Sequence, residues 1–224
     1  MKKFYLLLIV LLALTNSYSQ EVYFLTGTNI TKYNFTSQAE PMTTPLQAGI
    51  GSFYEIGYDF SLNSDALSYS AAITINDYNA LAGTPANSYS WNTKYAGAQS
   101  SLNYLHKVTK RFKLGLRAGL NLSKMVYGKQ NLNGEILDLT DQKEFTGLYF
   151  SYFGGASANY KLNDSGYLSI GYGFGNGLNT ANSTQEKVIF NNSQIQFGIH
   201  FNICLLYTSP SPRDRTRSRM PSSA

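Results

Sequence analysis

Very few residues in this chain could carry chemistry. There are two histidines, His106 and His200, and one cysteine, Cys204. A lone cysteine excludes a disulfide within the chain. A histidine becomes a catalytic base when a serine or cysteine lies on one ring nitrogen and an orienting group on the other. Neither histidine has a sequence neighbour that suggests this. Four charges are more informative: Glu55 and Asp59 in one segment, Lys113 and Arg117 in another. Each pair is four residues apart, so on extended chain both members share a face. The match of opposite charges predicts two ion pairs, Arg117–Glu55 and Lys113–Asp59. A last cluster, Glu135, Asp138, Asp141 and Glu144, is acidic but lacks the regular ligand ladder and central glycine of an EF-hand. No metal or cofactor site is expected from any of these groups.

The elements that must position the four charges read as β-strands, because apolar and polar residues alternate with period two. Phe112, Leu114, Leu116, Ala118, Leu120 and Leu122 oppose Lys113, Gly115, Arg117, Gly119, Asn121 and Ser123. Ile195, Phe197, Ile199, Phe201 and Ile203 oppose Gln194, Gln196, Gly198, His200 and Asn202. The same template fits five further segments, which start near Leu46, Leu67, Ala96, Phe150 and Leu168. An eighth, from Val22 to Phe35, is irregular and is read as a strand with a blurred pattern. By this parity Glu55, Asp59, Lys113, Arg117 and His200 all lie on the polar face.

Bulk properties narrow the class. Residues 1–19 join Lys2 and Lys3 to an eleven-residue apolar run (residues 4–14) and the small residues Ser17 and Ser19. That is the pattern of a secretory signal peptide, and the run is too short to span a bilayer as a helix. The formal charge of +5 is misleading. Lys2 and Lys3 carry two of those charges, and Arg213, Arg215, Arg217 and Arg219 against Asp214 carry the other three. Residues 20–204 are therefore neutral, which argues against nucleic acid as a partner. Eighteen tyrosines and 13 phenylalanines beside a single tryptophan favour strands over helices.

Connection lengths then set the topology. Short connections are expected at 61–66, 107–110 and 162–165, and longer ones at 36–45, 79–94, 124–146 and 179–186. Strict alternation of short and long connections is the pattern of a membrane barrel with short periplasmic turns and long outer loops. The expected architecture is all-β: an eight-stranded antiparallel up-and-down transmembrane β-barrel over residues 20–204. A soluble lipocalin-like barrel shares the strand number but would bury its apolar face. The aromatics discriminate between the two. Tyr58, Phe60, Tyr69, Tyr104, Phe112, Tyr160 and Phe201 all fall beside a short turn or the end of the closing strand. Gathered at one level on the apolar face, they form the expected periplasmic-side aromatic girdle.

The signal peptide, the eight alternating segments, the stretch GLNLSKM at residues 119–125 and the closing QFGIHFNI resemble the small outer-membrane β-barrel families of Bacteroidetes-type bacteria. The resemblance covers residues 20–204. It implies an integral outer-membrane location and a final strand of the type read by the barrel-assembly machinery; it implies no activity. Outer-membrane lipid and lipopolysaccharide would then be its surroundings, and the barrel a monomer; the acidic loop is read as solvated, with divalent cations shared with lipopolysaccharide or contact with a partner as the alternatives. Similar small barrels include lipid-modifying enzymes of the outer leaflet, but neither histidine falls at the outer rim, so no enzyme is expected. The main reading is a barrel plugged by side chains, with a structural or surface-interaction role through its outer loops. A narrow porin-like channel is the alternative. Residues 205–224 break the alternation with a Pro/Ser/Arg composition typical of disorder. They resemble translated adapter-type sequence, which would place the native end near Ile203.

Overall fold

The computed structural model describes residues 20–36, 46–64, 66–84, 87–140, 142, 145, 147–179 and 187–203. The expected signal peptide, the tail, loops 37–45 and 180–186, and the acids Asp141 and Glu144 lie outside these residues. The strands are β1 (Gln20–Thr36), β2 (Gln47–Ser64), β3 (Leu67–Thr84), β4 (Asn87–Lys107) and β5 (Phe112–Leu132). They continue with the short β6 (Glu135–Asp138), then β7 (Leu148–Asn163), β8 (Gly166–Asn179) and β9 (Lys187–Ile203).

Every pairing is antiparallel, in the order β4-β3-β2-β1-β9-β8-β7-β5, and a β4–β5 pairing shuts the ring. The first and last strands join along their whole length, from Gln20 opposite Ile203 to Thr36 opposite Lys187. The eight long strands therefore have no free edge. β6 only extends β5 at its far end, with Lys129 opposite Asp138.

Side chains sort by parity. Leu114, Leu116, Leu120 and Leu122 stand exposed on the outside of β5, while Gly115, Asn121 and Ser123 are buried within. Ile73 on β3 is 65% exposed and its neighbour Thr74 2%. The apolar face is thus outside and the polar face inside, the opposite of a soluble barrel.

Two expectations about loops are corrected. The segment 79–94 is not a long loop: β3 runs to Thr84 and β4 restarts at Asn87, with Asn79 opposite Asn92. The segment 124–146 likewise begins as strand, since β5 reaches Leu132 before the β6 hairpin. The cause is an inversion of polarity along the barrel. Beyond Asn76 the inward positions turn aromatic or aliphatic (Tyr78, Ala80, Trp91, Tyr95), and the outward ones turn polar (Asp77, Asn79, Asn92, Lys94). The alternation persists but its sign flips, so it no longer continues the pattern below. A bulge at Val126 adds a parity slip in β5, after which Met125 and Gly128 are both buried. With 14 to 21 residues, the eight strands exceed the roughly 9–11 that a bilayer requires.

The blurred pattern of β1 has a related cause. Its inward positions include Tyr23, Leu25 and Tyr33, and its outward ones Phe24 and Ile30, so both faces are apolar in places.

The barrel interior as candidate functional site

Four layers occupy the lumen. The lowest, nearest the short turns, is a polar vestibule of about 420 Å³. It is bordered by Glu21, Asp59, Lys110, Lys113, Lys161 and Tyr167, among others. Glu21 accepts hydrogen bonds on Oε1 from the Tyr167 hydroxyl (2.5 Å) and from His200 Nδ1 (2.6 Å). His200 Nε2 in turn meets Ser169 Oγ at 2.9 Å. The His200 ring stacks on Tyr167 with centroids 4.2 Å apart and lies 5.6 Å from Tyr23 on a second ring contact.

The order Ser169–His200–Glu21 is that of nucleophile, base and orienting acid, and sequence reasoning did not find it. Its members sit on β8, β9 and β1, and only the ladder brings them together: Tyr167 pairs with His200, and His200 with Tyr23. An acyl-transfer site also needs backbone or side-chain donors aimed at an oxyanion. Here Ser169 is paired on both sides, with Asn159 and Gly198, which leaves its backbone neighbours tied up in the ladder. The aromatic rings further crowd the imidazole. The chain of bonds works as a clamp that ties the first strand to the last two.

The middle layer is the ion pair. Arg117 donates to both oxygens of Glu55: Nη1 reaches Oε2 at 3.3 Å, and Nη2 bonds Oε1. The same guanidinium donates from Nε to Ser101 Oγ (3.0 Å) and from Nη2 to the Tyr23 hydroxyl (3.1 Å). Glu55, 4% exposed, also accepts from Tyr23 (2.8 Å) and from Gln99 Nε2 (2.9 Å). The rings of Tyr23 and Phe153 flank the guanidinium at 5.5 and 5.2 Å. Four of the five N–H donors of the guanidinium are matched, which is what makes burial of a charge tolerable. Gly57 faces the Tyr23 phenol, and any Cβ there would collide with it.

The second predicted pair does not form. Asp59 accepts from Asn103 Nδ2 at 3.0 Å, and Lys113 Nζ stands over the Tyr167 ring, 5.8 Å from its centroid. Both residues border the vestibule, but the lumen is wide there. Asp59 is satisfied by Asn103, two strands along the wall on β4, instead of by a cation on the far wall. One layer higher the cavity shrinks to about 70 Å³, and the longer arginine reaches Glu55.

Above the ion pair comes an amide belt. Asn121 Nδ2 donates to Thr74 Oγ1 (2.9 Å), Gln194 Nε2 to Asn76 Oδ1 (3.1 Å), and Asn29 Nδ2 to the Asp77 carbonyl (2.8 Å). The top layer is an aromatic core: Tyr33, Tyr78, Tyr95, Tyr149 and Phe190 are all at most 3% exposed. Phe190 lies at its centre, with ring centroids 4.6 to 5.6 Å from the four tyrosines. Two of the phenols donate internally, Tyr33 to the Tyr78 carbonyl (2.7 Å) and Tyr149 to that of Phe190 (3.3 Å). Inward-facing Gly177 leaves room for the Tyr149 ring. Between vestibule and aromatic core the interior cavities measure only about 70 and 20 Å³.

Among the expected girdle residues Phe60 stands opposite Tyr69 and Phe112 opposite Tyr160, while Tyr104 pairs with Leu67 and Phe201 with Gly166. Tyr58 and Phe60 touch at 4.7 Å between centroids. His106 is exposed on the outer surface by the 108–111 turn. On the acidic hairpin, Glu135 is exposed, and the Asp138 carboxylate accepts from the Thr140 amide (2.8 Å) and hydroxyl (2.6 Å). Those bonds hold the Asp138 carboxyl below its usual range, the hydroxyl contact first. Among the described residues there is no cluster of three metal-binding side chains.

No protein-family model matches the chain, and no curated protein matches its sequence. Solved structures do. The outer membrane protein OprG from Pseudomonas aeruginosa matches with a TM-score of 0.51 at 11% identity, over 83% of this chain and 97% of that one. Neisserial surface protein A matches with a TM-score of 0.47 at 14% identity, over 81% and 97%. The outer membrane enzyme PagL matches with 0.38 at 10% identity, over 82% and 99%. At these identities the likeness to OprG carries the fold alone: a closed eight-stranded antiparallel barrel of the outer-membrane kind.

Proposed function

We propose that this protein is an integral outer-membrane barrel whose lumen is closed to solutes, and that it acts as a structural or surface-interaction protein through its outer loops. The observation that carries this reading is the pairing of an exposed apolar belt with a filled interior. Leu116, Ile73, Ile56, Phe197 and Tyr172 are each more than half exposed, on five different strands. Water would oppose such a belt at roughly 25 cal/mol per Å² of apolar surface, whereas lipid covers it without cost. The aromatic ring at the short-turn level fits a headgroup boundary. The export-type pattern of residues 1–19 and a closing strand ending in Phe201 and Ile203 agree with delivery to that membrane by the barrel-assembly machinery.

In this orientation the short turns face the periplasm, and the aromatic core with the β5–β6 hairpin stands at the outer surface beside lipopolysaccharide. The barrel is complete as a monomer, since β1 and β9 leave no edge to share. The Ser169–His200–Glu21 chain is structural in this reading, and the protein is not an enzyme.

The decisive experiment combines location and conductance. After membrane fractionation the protein should lie with the outer membrane and migrate faster in unheated gels than in heated ones. Purified and reconstituted in planar bilayers, it should give no unitary currents. Recovery in the aqueous phase of a detergent extraction would sink the membrane assignment. Regular current steps would replace the plug with a channel.

A further inference from the structure

Among the described residues Lys113 is an inward-facing cation with no carboxylate within 4 Å, and it borders the open vestibule. Lys113 points inward from β5 into the vestibule of about 420 Å³, a volume typical of small-molecule sites. Its nearest described interaction is the Tyr167 ring at 5.8 Å, too long to replace a counterion. The acids that could have neutralised it are engaged elsewhere. Glu21 holds Tyr167 and His200, Asp59 holds Asn103, and Asp164 holds Lys161 at 2.6 Å. At the rim Lys110 also has no carboxylate within 4 Å among the described residues, and Lys107 and Lys161 border the same space. Lys161 is already held by Asp164, so Lys113 and Lys110 are the lysines of this pocket on which the site rests.

A semi-enclosed ammonium without a counterion is costly unless an anion from outside joins it. We propose that this vestibule binds a small anion carrying phosphate or carboxylate groups, with Lys113 as the main contact and Lys110 at the entrance. Arg117 is not part of the site, because Glu55, Tyr23 and Ser101 use its donors. The chemistry fits either a soluble anionic metabolite or the headgroup of an anionic lipid reaching over the short turns. The site goes beyond the closed-barrel reading and needs no conduction. Only the statement that it opens to the periplasm rests on the orientation given above.

The test uses the full barrel refolded into phosphatidylcholine vesicles, with inorganic phosphate as probe at constant ionic strength set by chloride. Phosphorus NMR line broadening should saturate. Lys113→Gln should weaken binding about tenfold or more, as loss of a charge-assisted contact does. Lys110→Gln should weaken it less, and Lys129→Gln, on the opposite end of β5, should leave it unchanged. Repeating the titration with phosphatidylglycerol in the vesicles separates the sources: competition assigns the site to a lipid headgroup, and its absence to a soluble anion. Equal broadening in the parent protein and Lys113→Gln overturns the proposal. Heat-dependent gel mobility of each variant reports the barrel itself, so loss of the site and loss of the fold are told apart.

Discussion

Arg117 and Glu55, 62 residues apart in the chain and on strands separated by two others in the ring, meet in the middle of the lumen through two parallel hydrogen bonds. This contact ties two well-separated strands together across the interior of the barrel.

Breaking it from one side should be expensive. Arg117→Ala leaves the Glu55 carboxylate buried without its cation, and the expected loss is roughly 3–5 kcal/mol of unfolding free energy. Urea unfolding of the refolded barrel, followed by gel mobility, measures it. The double variant Arg117→Met/Glu55→Leu should recover most of that loss, because no lone charge remains. A single variant that matches the parent would show that the pair is not structural.

The aromatic core makes a separate forecast. Phe190→Ala removes the ring that touches four tyrosines and should cost about 3–5 kcal/mol, the usual range for a buried phenylalanine. It should not open the barrel to ions, because the amide belt and the ion pair still close the lumen below. Conductance should require that Arg117 and Glu55 are also removed. Planar-bilayer recording of Phe190→Ala alone decides: current steps there would place the barrier in the aromatic layer only.

Ser169 should not behave as an activated nucleophile. A fluorophosphonate probe added to the folded barrel is expected to label the parent protein no more than Ser169→Ala. Glu21→Gln should instead lower stability, since Tyr167 and His200 both donate to Glu21 Oε1. Labelling that needs both Ser169 and His200 would turn the clamp into an active site.

The turn between β7 and β8 supplies a pH handle. The Lys161 ammonium donates to Asp164 and holds its carboxyl below the usual range. The folded value is thus lower than the unfolded one, near 3.9. The turn's contribution is complete above that unfolded value and fades as the pH falls through the folded one. Carboxyl NMR should find the Asp164 midpoint below that of a free aspartate, and Lys161→Gln should raise it.

How far the sequence could be read depended on where a strand lies along the barrel. The lower halves of β5, β8 and β9 were legible because one face meets apolar surroundings and the other a small polar lumen. That contrast fails at Tyr23, Leu25 and Tyr33 on β1, and it reverses beyond Asn76 on β3. Aromatics there fill the interior while Asp77 and Lys94, 3.0 Å apart, face outward. A reversed pattern reads as a loop, so 79–94 was mistaken for one. The charges followed the same rule: parity alone put Glu55, Asp59, Lys113 and Arg117 inside.

The sequence by itself determined an all-β chain of eight alternating strands and, over the lower halves of most of them, which residues face inward, because period-two alternation is a local property. The tertiary structure alone decided who meets whom across the lumen. Arg117 reaches Glu55 in a packed layer with only about 70 Å³ of cavity beside it, while Lys113 and Asp59 border the open vestibule of about 420 Å³ and do not pair. Ser169, His200 and Glu21 form a chain only after the last strand closes on the first. Contacts across a ring depend on its width and register, which are set when all eight strands close together and by no segment alone.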